Sequence, residues 1–399
     1  MQVSFFGGVP MKNFVSDFVK FAGVDDLKID LFEGQFSVPK GMSYNSYVIL
    51  DEKIAVMDTV DRNFGKEWLS NLDGVLAGVE PDFLVVQHME MDHSSNIGAF
   101  MDRYPKAKIV SSKMAFSMMK NMFGTDFSDR QVVVSDGSKI ELGKHVLNFV
   151  AAPNVHWPEV MFTYESTEKI LFSADGFGKF GAVSLEDEGL ENWAEEARRY
   201  YFGIVGKFGA NVQAVLKKAA GLEIAKICPL HGPVLHSDLE KYLQYYDTWS
   251  KYEAEEDGVF VAYTSIYGNT KAAAEKLAEI LKNKGCKNVV LKDLARNDIF
   301  DCVATAFRYK KLILASTTYN GGVFPRMREF IEHLAERNFQ KRTVGFVENG
   351  SWAPLAARVM AKSFEPLKEI EIAEPSVTIK IAVNDEVLER LEEFAGLFV

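Results

Sequence analysis

Short runs of alternating apolar and polar residues fill roughly the first 250 positions, and a regular strand–helix alternation takes over after them. SYVILDEKIAVMDTV, QVVVSDGSKIELGKHVLNFV and VMFTYESTEKILFSAD each hold two such runs around a polar turn, the pattern of a β-hairpin. Apolar positions recur at helical spacing in FGKEWLSNLDGVLAG and in GLENWAEEARRYYFGIVGKFGANVQAVLKKAAG. The charged, aromatic run LEKYLQYYDTWSKYEAEED reads as helix and ends where the rhythm changes, so two domains are expected, 1–254 and 255–399. The second opens on GVFVAYT and continues with a helix from Asn269, VVLKDL, a helix near Phe300, KLILAST and a helix from Phe324. TVGFVEN, a helix from Pro354, SVTIKIAV and a closing helix complete it, which predicts a doubly wound, five-stranded parallel sheet.

Length agrees with two domains, since 399 residues exceed the size at which one core stops growing. A net charge of -11 without a Lys/Arg cluster argues against a nucleic-acid partner. The opening MQVSFFGGVPMKNF lacks a basic region followed by an apolar one, and no run of apolar residues is long enough to span a bilayer. A cytoplasmic protein with no membrane partner is expected. Cys228, Cys286 and Cys302 form no CxxC pair, so neither a disulfide framework, a cysteine metal knuckle nor a rubredoxin-type site is indicated.

Candidate chemistry collects at strand ends. FLVVQ reads as a buried strand and runs into His88-Met89-Glu90-Met91-Asp92-His93. In an extended segment His88, Glu90 and Asp92 share a side while Met89 and Met91 point into packing, and His93 lies on the turn. His156 follows NFVAAPNV, Asp175 follows KILFSA, and His231 follows EIAKICPL. Four imidazoles and three carboxylates are too much ligand for one ion and enough for two, with Asp175 placed to bridge. His145, His236 and His333 lack that context and read as ordinary structural residues. Glu90 makes the set more carboxylate-rich than the HxHxDH run of zinc hydrolases in the β-lactamase superfamily, favouring iron or manganese.

These residues resemble the ligand set of flavodiiron proteins, also called A-type flavoproteins. The resemblance implies that His88, Glu90 and His156 hold one iron, that Asp92, His93 and His231 hold the other, and that Asp175 bridges them. In some members the residue matching His93 is displaced by water. It further implies a metallo-β-lactamase-like αββα sandwich, of α+β character, ahead of an α/β flavodoxin-like domain.

Gly176-Phe177-Gly178-Lys179-Phe180-Gly181 matches GxGxxG, but the acidic run after it opens no helix, so these glycines read as letting backbone pass close to Asp175. The stronger phosphate signal is Thr264-Ser265-Ile266-Tyr267-Gly268-Asn269-Thr270, between VFVAY and the helix KAAAEKLAEIL. Thr317-Thr318-Tyr319-Asn320-Gly321, with Gly322, and Glu348-Asn349-Gly350-Ser351-Trp352 leave the same sheet edge, where ligands of such folds sit. Tyr319 and Trp352 can flank a planar ring. Residues 255–399 therefore look like a flavodoxin domain binding FMN, and the order of parts is similar to the flavodiiron family over essentially the whole chain.

The family reduces dioxygen to water, nitric oxide to nitrous oxide, or both. A reduced flavin and a diferrous pair together store four electrons, matching dioxygen to two waters. The resemblance implies a head-to-tail homodimer or a dimer of dimers, because flavin and irons of one chain lie too far apart for fast transfer. Trp352 then reaches towards the partner's metal pocket or serves packing alone, and Tyr44 is a candidate for a hydrogen bond near the irons. Electrons are expected from a separate small protein such as rubredoxin. The alternatives are a zinc-dependent hydrolase with an accessory flavodoxin domain, using metal-activated water, and a pure electron carrier with a metal-free scaffold.

Overall fold

The structure is a computed structural model describing residues 5–6, 9–10, 14–185 and 193–399. The chain divides into two compact units, 1–247 and 248–399. No described helix is long and apolar enough to cross a membrane.

The first unit is built on two sheets. One runs in the order Gln131–Val134, Lys108–Ser112, Phe83–Val85, Ala55–Met57, Tyr47–Ile49, Val19–Phe21. The other runs Lys139–Glu141, Val146–Ala151, Met161–Glu165, Ile170–Phe172, Lys226–Cys228. Their inner faces share one core, in which Val19, Ile49, Met57, Val85 and Val110 of the first sheet meet Leu147, Phe149, Met161 and Phe172 of the second. That shared burial is the main force holding the sheets together. Helix Lys113–Phe123 packs against Lys108–Ser112 and helix Gly209–Ala219 against Val146–Ala151, giving the αββα layering that the family resemblance implies. The first of these helices is bounded at both ends by local chemistry. Ser112 accepts from the Ala115 amide at its start, and Gly124 closes it in the left-handed conformation.

Two of the three expected hairpins form as read: Tyr47–Ile49 with Ala55–Met57, and Met161–Glu165 with Ile170–Phe172. The third is corrected. Gln131–Val134 pairs in parallel with Lys108–Ser112 in the first sheet, and only Lys139–Glu141 pairs with Val146–Ala151 in the second. Alternation says that a run is half-buried but not which sheet buries it. The expected helix from Gly189 is described from Trp193 as helix Trp193–Tyr200, a π-helical turn Tyr201–Val205, a short 3-10 turn and helix Gly209–Ala219. Its first residues, like the acidic run Glu186–Gly189, lie outside the described residues.

The second unit contains a sheet whose five parallel strands run in the order Val289–Asp293, Glu256–Tyr263, Tyr309–Tyr319, Arg342–Asn349, Ile370–Ile379, with the two-residue strand Gly322–Val323 added antiparallel to Tyr309–Tyr319. This is the 2-1-3-4-5 order of a doubly wound fold, in which chain direction across the sheet reverses beside the first strand. Each strand is followed by a helix, beginning at Asn269, Ile299, Pro325, Ala356 and Asp385. Val259, Val261, Ile313, Ala315 and Val347 on one sheet face meet Leu277, Leu281, Leu391 and Phe394 of two of those helices. Gly345 sits beneath Phe394 and Phe398, where a Cβ would approach ring carbons to 2.6 and 2.5 Å.

Candidate metal centre and flavin site

Strand Phe83–Val85 ends before Gln87, and Glu90 is extended, with φ and ψ of -59° and 145°. Helix Met91–Ser94 then begins, so Asp92 and His93 occupy a helical turn. The expectation of one extended segment from His88 to Asp92 is therefore corrected. His88 and Glu90 face one way, and the turn carries Asp92 round to join His93. The change of conformation sorts one short run into two ligand groups. His156, Asp175 and His231 arrive from loops after strands Val146–Ala151, Ile170–Phe172 and Lys226–Cys228.

The ligand atoms converge as His88, Glu90, His156 and Asp175 in one group, and Asp92, His93 and His231 in the other. Asp175 faces both with different oxygens. Its Oδ2 lies 3.1 Å from His156 Nε2 and 3.5 Å from His88 Nε2, while Oδ1 lies 3.3 Å from His93 Nε2. Glu90 Oε2 is 2.9 Å from His156 Nε2 and 3.2 Å from His88 Nε2. Asp92 Oδ2 is 3.3 Å from both His93 Nε2 and His231 Nε2.

Polar groups outside the pocket turn these nitrogens inward. His88 Nδ1 lies 2.9 Å from Glu159 Oε1, and His231 Nδ1 donates to the Ser43 carbonyl at 2.6 Å. Each leaves Nε2 as the free lone pair facing the centre. Asp58, buried at the end of strand Ala55–Met57, accepts from the Gln87 amide and side chain at 2.7 and 2.9 Å. Burial pushes its carboxyl up to about 6 against those hydrogen bonds.

Among the described residues all four oxygens of Asp92 and Asp175 are buried without a hydrogen-bond partner, and His93 Nε2 lies 3.0 Å from His231 Nε2. Buried carboxylates and facing imidazole nitrogens left in this state are costly unless cations lie between them. Burial alone would lower the His156 pKa, yet contacts with Asp175 and Glu90 carry it up to about 9. His88 is raised in the same way, against burial, chiefly by Asp175. The pocket thus draws in positive charge, and its donor set, histidine nitrogen with three carboxylates, fits two iron ions.

Aromatic rings close the pocket. Phe32, Tyr44 and Tyr200 pack on the His231 ring at centroid distances of 5.4, 5.8 and 5.5 Å. Sequence reasoning singled out Tyr44 and missed Tyr200, which stands in a helix of otherwise ordinary amphipathic pattern. Tyr200 Oη is buried with no hydrogen-bond partner among the described residues. Burial first, then Asp175, Asp92 and Glu90, hold this phenol far above its usual pKa, so it stays protonated.

The GxGxxG run serves packing. A Cβ on Gly176 would meet Phe162 at 2.8 Å and one on Gly178 would meet the Asp175 carbonyl at 3.0 Å. His145 is held by Asp51 at 2.8 Å. Its neighbours Glu165 and Glu168 are occupied by the Thr167 and Glu168 amides and by the Ser16 hydroxyl, so this third acidic group reads as structural.

In the second unit a cavity of about 440 Å³ opens at the carboxyl ends of the strands. Ser265, Ile266, Tyr267, Asn269 and Thr270 line it from the first loop, and Thr317, Thr318, Asn320 and Gly321 from the second. Asn349, Gly350, Ser351 and Trp352 line it from the third. Helix Asn269–Asn283 starts at this edge, with Gly268 in the left-handed conformation just before it, which presents amides to an anion. Four expected residues are not among those that line the cavity. Thr264 bonds Ser316 at 3.0 Å, and Gly268 shapes the turn. Tyr319 packs on Phe324, and Glu348 accepts from the Ala357 amide and Thr378 hydroxyl. Ala353, Leu355 and Ile381 also line the cavity and were not foreseen. Ile381 comes from the loop after the fifth strand, whose positive φ of 73° leaves no mark on an isoleucine in sequence.

Residues 42–232 match the family described as ODP family beta lactamase, and 260–370 match a flavodoxin domain. A protein of Moorella thermoacetica called nitric oxide reductase is 30% identical over 95% of this chain and 96% of its own length. The anaerobic nitric oxide reductase flavorubredoxin of Aliivibrio fischeri is 29% identical over 84% of this chain and 68% of its own. The flavodiiron protein from Giardia intestinalis superposes with a TM-score of 0.90 at 27% identity, covering 97% of this chain and 95% of that one. Similarity that extends along nearly the full length of such a relative, through both units in the same order, means that the chain belongs to the flavodiiron proteins, a family of oxidoreductases.

Proposed function

We propose that this chain reduces dioxygen to water, nitric oxide to nitrous oxide, or both, at a non-haem diiron site supplied with electrons through FMN. The observation that carries this reading is Asp175, whose two oxygens face two separate groups of ligands. The names of the Moorella and Aliivibrio relatives favour a reductase over the zinc-hydrolase alternative.

In this reading His88, Glu90 and His156 hold one iron, Asp92, His93 and His231 the other, and Asp175 bridges. When bound, the pair supplies electrons and open positions for the gas. The chain supplies the rest. Dioxygen takes up four electrons and four protons to give two waters, and two nitric oxides take up two electrons and two protons to give nitrous oxide and water. The phenol of Tyr200 keeps a proton at Oη beside the pocket, and Phe32, Tyr44 and Tyr200 restrict bulk water around His231. In the second unit, residues 264–270 hold the FMN phosphate, and the loops 317–321 and 348–352 hold its ring.

The working division is 1–254 for the metal domain and 255–399 for the flavin domain. Tyr267 and Trp352 stand 92% and 90% exposed at the rim of the cavity. In the same reading the chain forms a head-to-tail homodimer, or a dimer of dimers, in which one chain's FMN serves its partner's irons. A separate donor such as rubredoxin feeds the flavin, and the cytoplasm is the proposed location.

Metal and flavin analysis of the purified protein, followed by anaerobic stopped-flow of the reduced form against each gas, tests the reading. Two irons and one FMN per chain with rapid oxidation by one or both gases is expected. Zinc in place of iron, or a reduced protein inert to both gases, overturns it.

A further inference from the structure

Glu159 is not among the seven ligand candidates, yet its carboxylate is wholly enclosed. Oε1 lies 2.9 Å from His88 Nδ1 and 2.8 Å from the Met89 amide nitrogen, while Oε2 is buried with no hydrogen-bond partner among the described residues. Met89 stands between His88 and Glu90, and Glu159 stands three positions beyond His156. One carboxylate oxygen therefore fastens the segment carrying two ligands to the loop carrying the third. Ser94 Oγ completes the fastening by donating to the Met89 carbonyl at 2.8 Å.

The other ligand group is supported from elsewhere. His231 Nδ1 donates to the Ser43 carbonyl, the Gly232 amide donates to Ser43 Oγ, and the Asn45 side chain donates to the carbonyls of Pro229 and Gly232. Glu159 takes part in none of these contacts.

We infer that Glu159 is a positioning residue for one iron of the pair. It holds His88 with Nδ1 protonated and Nε2 turned inward, and it keeps His88, Glu90 and His156 in register. Asp92, His93 and His231 make no direct hydrogen bond to Glu159 among the described residues. An anionic acceptor also makes the opposite ring nitrogen a stronger metal donor, which a neutral amide at the same place does only in part. The inference rests on the diiron reading above.

The test compares full-length wild type, Glu159→Gln and Glu159→Ala, each loaded anaerobically with ferrous ion. Iron and FMN per chain, iron retention against a graded chelator, and the electron paramagnetic resonance signal of the half-oxidised coupled pair are measured. One iron is expected to bind about 10-fold more weakly in Glu159→Gln and about 100-fold more weakly in Glu159→Ala. At intermediate chelator the variants then keep one iron where wild type keeps two, the coupled-pair signal disappears, and FMN is unchanged. Glu159→Gln retains an acceptor for both N–H groups, so it carries the test even if Glu159→Ala fails to fold. Two irons held with wild-type affinity in Glu159→Gln, or equal weakening of both, overturns the inference. Wild-type protein that binds fewer than two irons instead overturns the diiron reading, a separate result.

Discussion

Asp175 is where a one-atom change has the largest consequence. Its two oxygens divide between the ligand groups, so Asp175→Asn removes an anionic donor from one side and the bridging charge from both. Iron per chain is expected to fall from two to below one by elemental analysis, while FMN content stays the same. A second residue-scale effect concerns acid. Burial would raise the Asp51 carboxyl, but hydrogen bonds from the His145 amide and ring outweigh it and hold the pKa below its ordinary value. A carboxylate with a depressed folded pKa contributes stability that is complete above its unfolded pKa, near about 3.9, and is lost as pH falls through the folded value. Asp51→Asn should therefore lower stability at neutral pH and flatten the loss below about pH 4, read from denaturant midpoints across pH.

At the scale of elements, short local features set which way functional side chains face. The switch from extended backbone at Glu90 to helix at Met91 separates two ligand groups that a single strand would have kept on one side. In the second unit, the fit of the sheet against the helices after it depends on a missing side chain. Gly345 lies on the fourth strand under Phe394 and Phe398, and a Cβ there comes within 2.6 Å of both rings. Gly345→Ala is expected to destabilise the 248–399 unit by about 1–3 kcal/mol through overpacking. Flavin fluorescence followed through a urea titration measures it. FMN release at the wild-type midpoint would contradict the account.

At the scale of the molecule, the metal centre is joined to folding. Seven side chains from four segments meet in a pocket where the Asp92 and Asp175 carboxylates lack hydrogen-bond partners among the described residues. Ions that bind only the folded form stabilise it by mass action, about 4 kcal/mol at a thousand times the dissociation constant. Anaerobic ferrous ion should therefore raise the thermal midpoint of the 1–247 unit by several degrees, and chelation should lower it. The transition reported by flavin in the 248–399 unit should move less. Calorimetry on the same sample in both states distinguishes the two.

Several of these features are legible from residue order alone. Strands and helices of the second unit were readable because buried parallel strands are continuous apolar runs and the helices between them repeat at 3.6 residues. The ligand candidates were readable because histidines and carboxylates cluster directly after strands, where a fold exposes backbone ends to a pocket. Other features depend on contacts between distant segments, and no local pattern encodes them. Gln131–Val134 could pair on either sheet until the shared core assigned it to the first. Asp92 joined His93 only because a helical turn starts at Met91. Tyr200, Glu159 and Ile381 carry ordinary local sequence, and each acquires its place from loops far away in the chain. Residue types and their periodicity thus determined which elements form and which side chains are available for chemistry. Tertiary packing decided which of those side chains face one another, because that depends on burying surfaces that meet only when the sheets close.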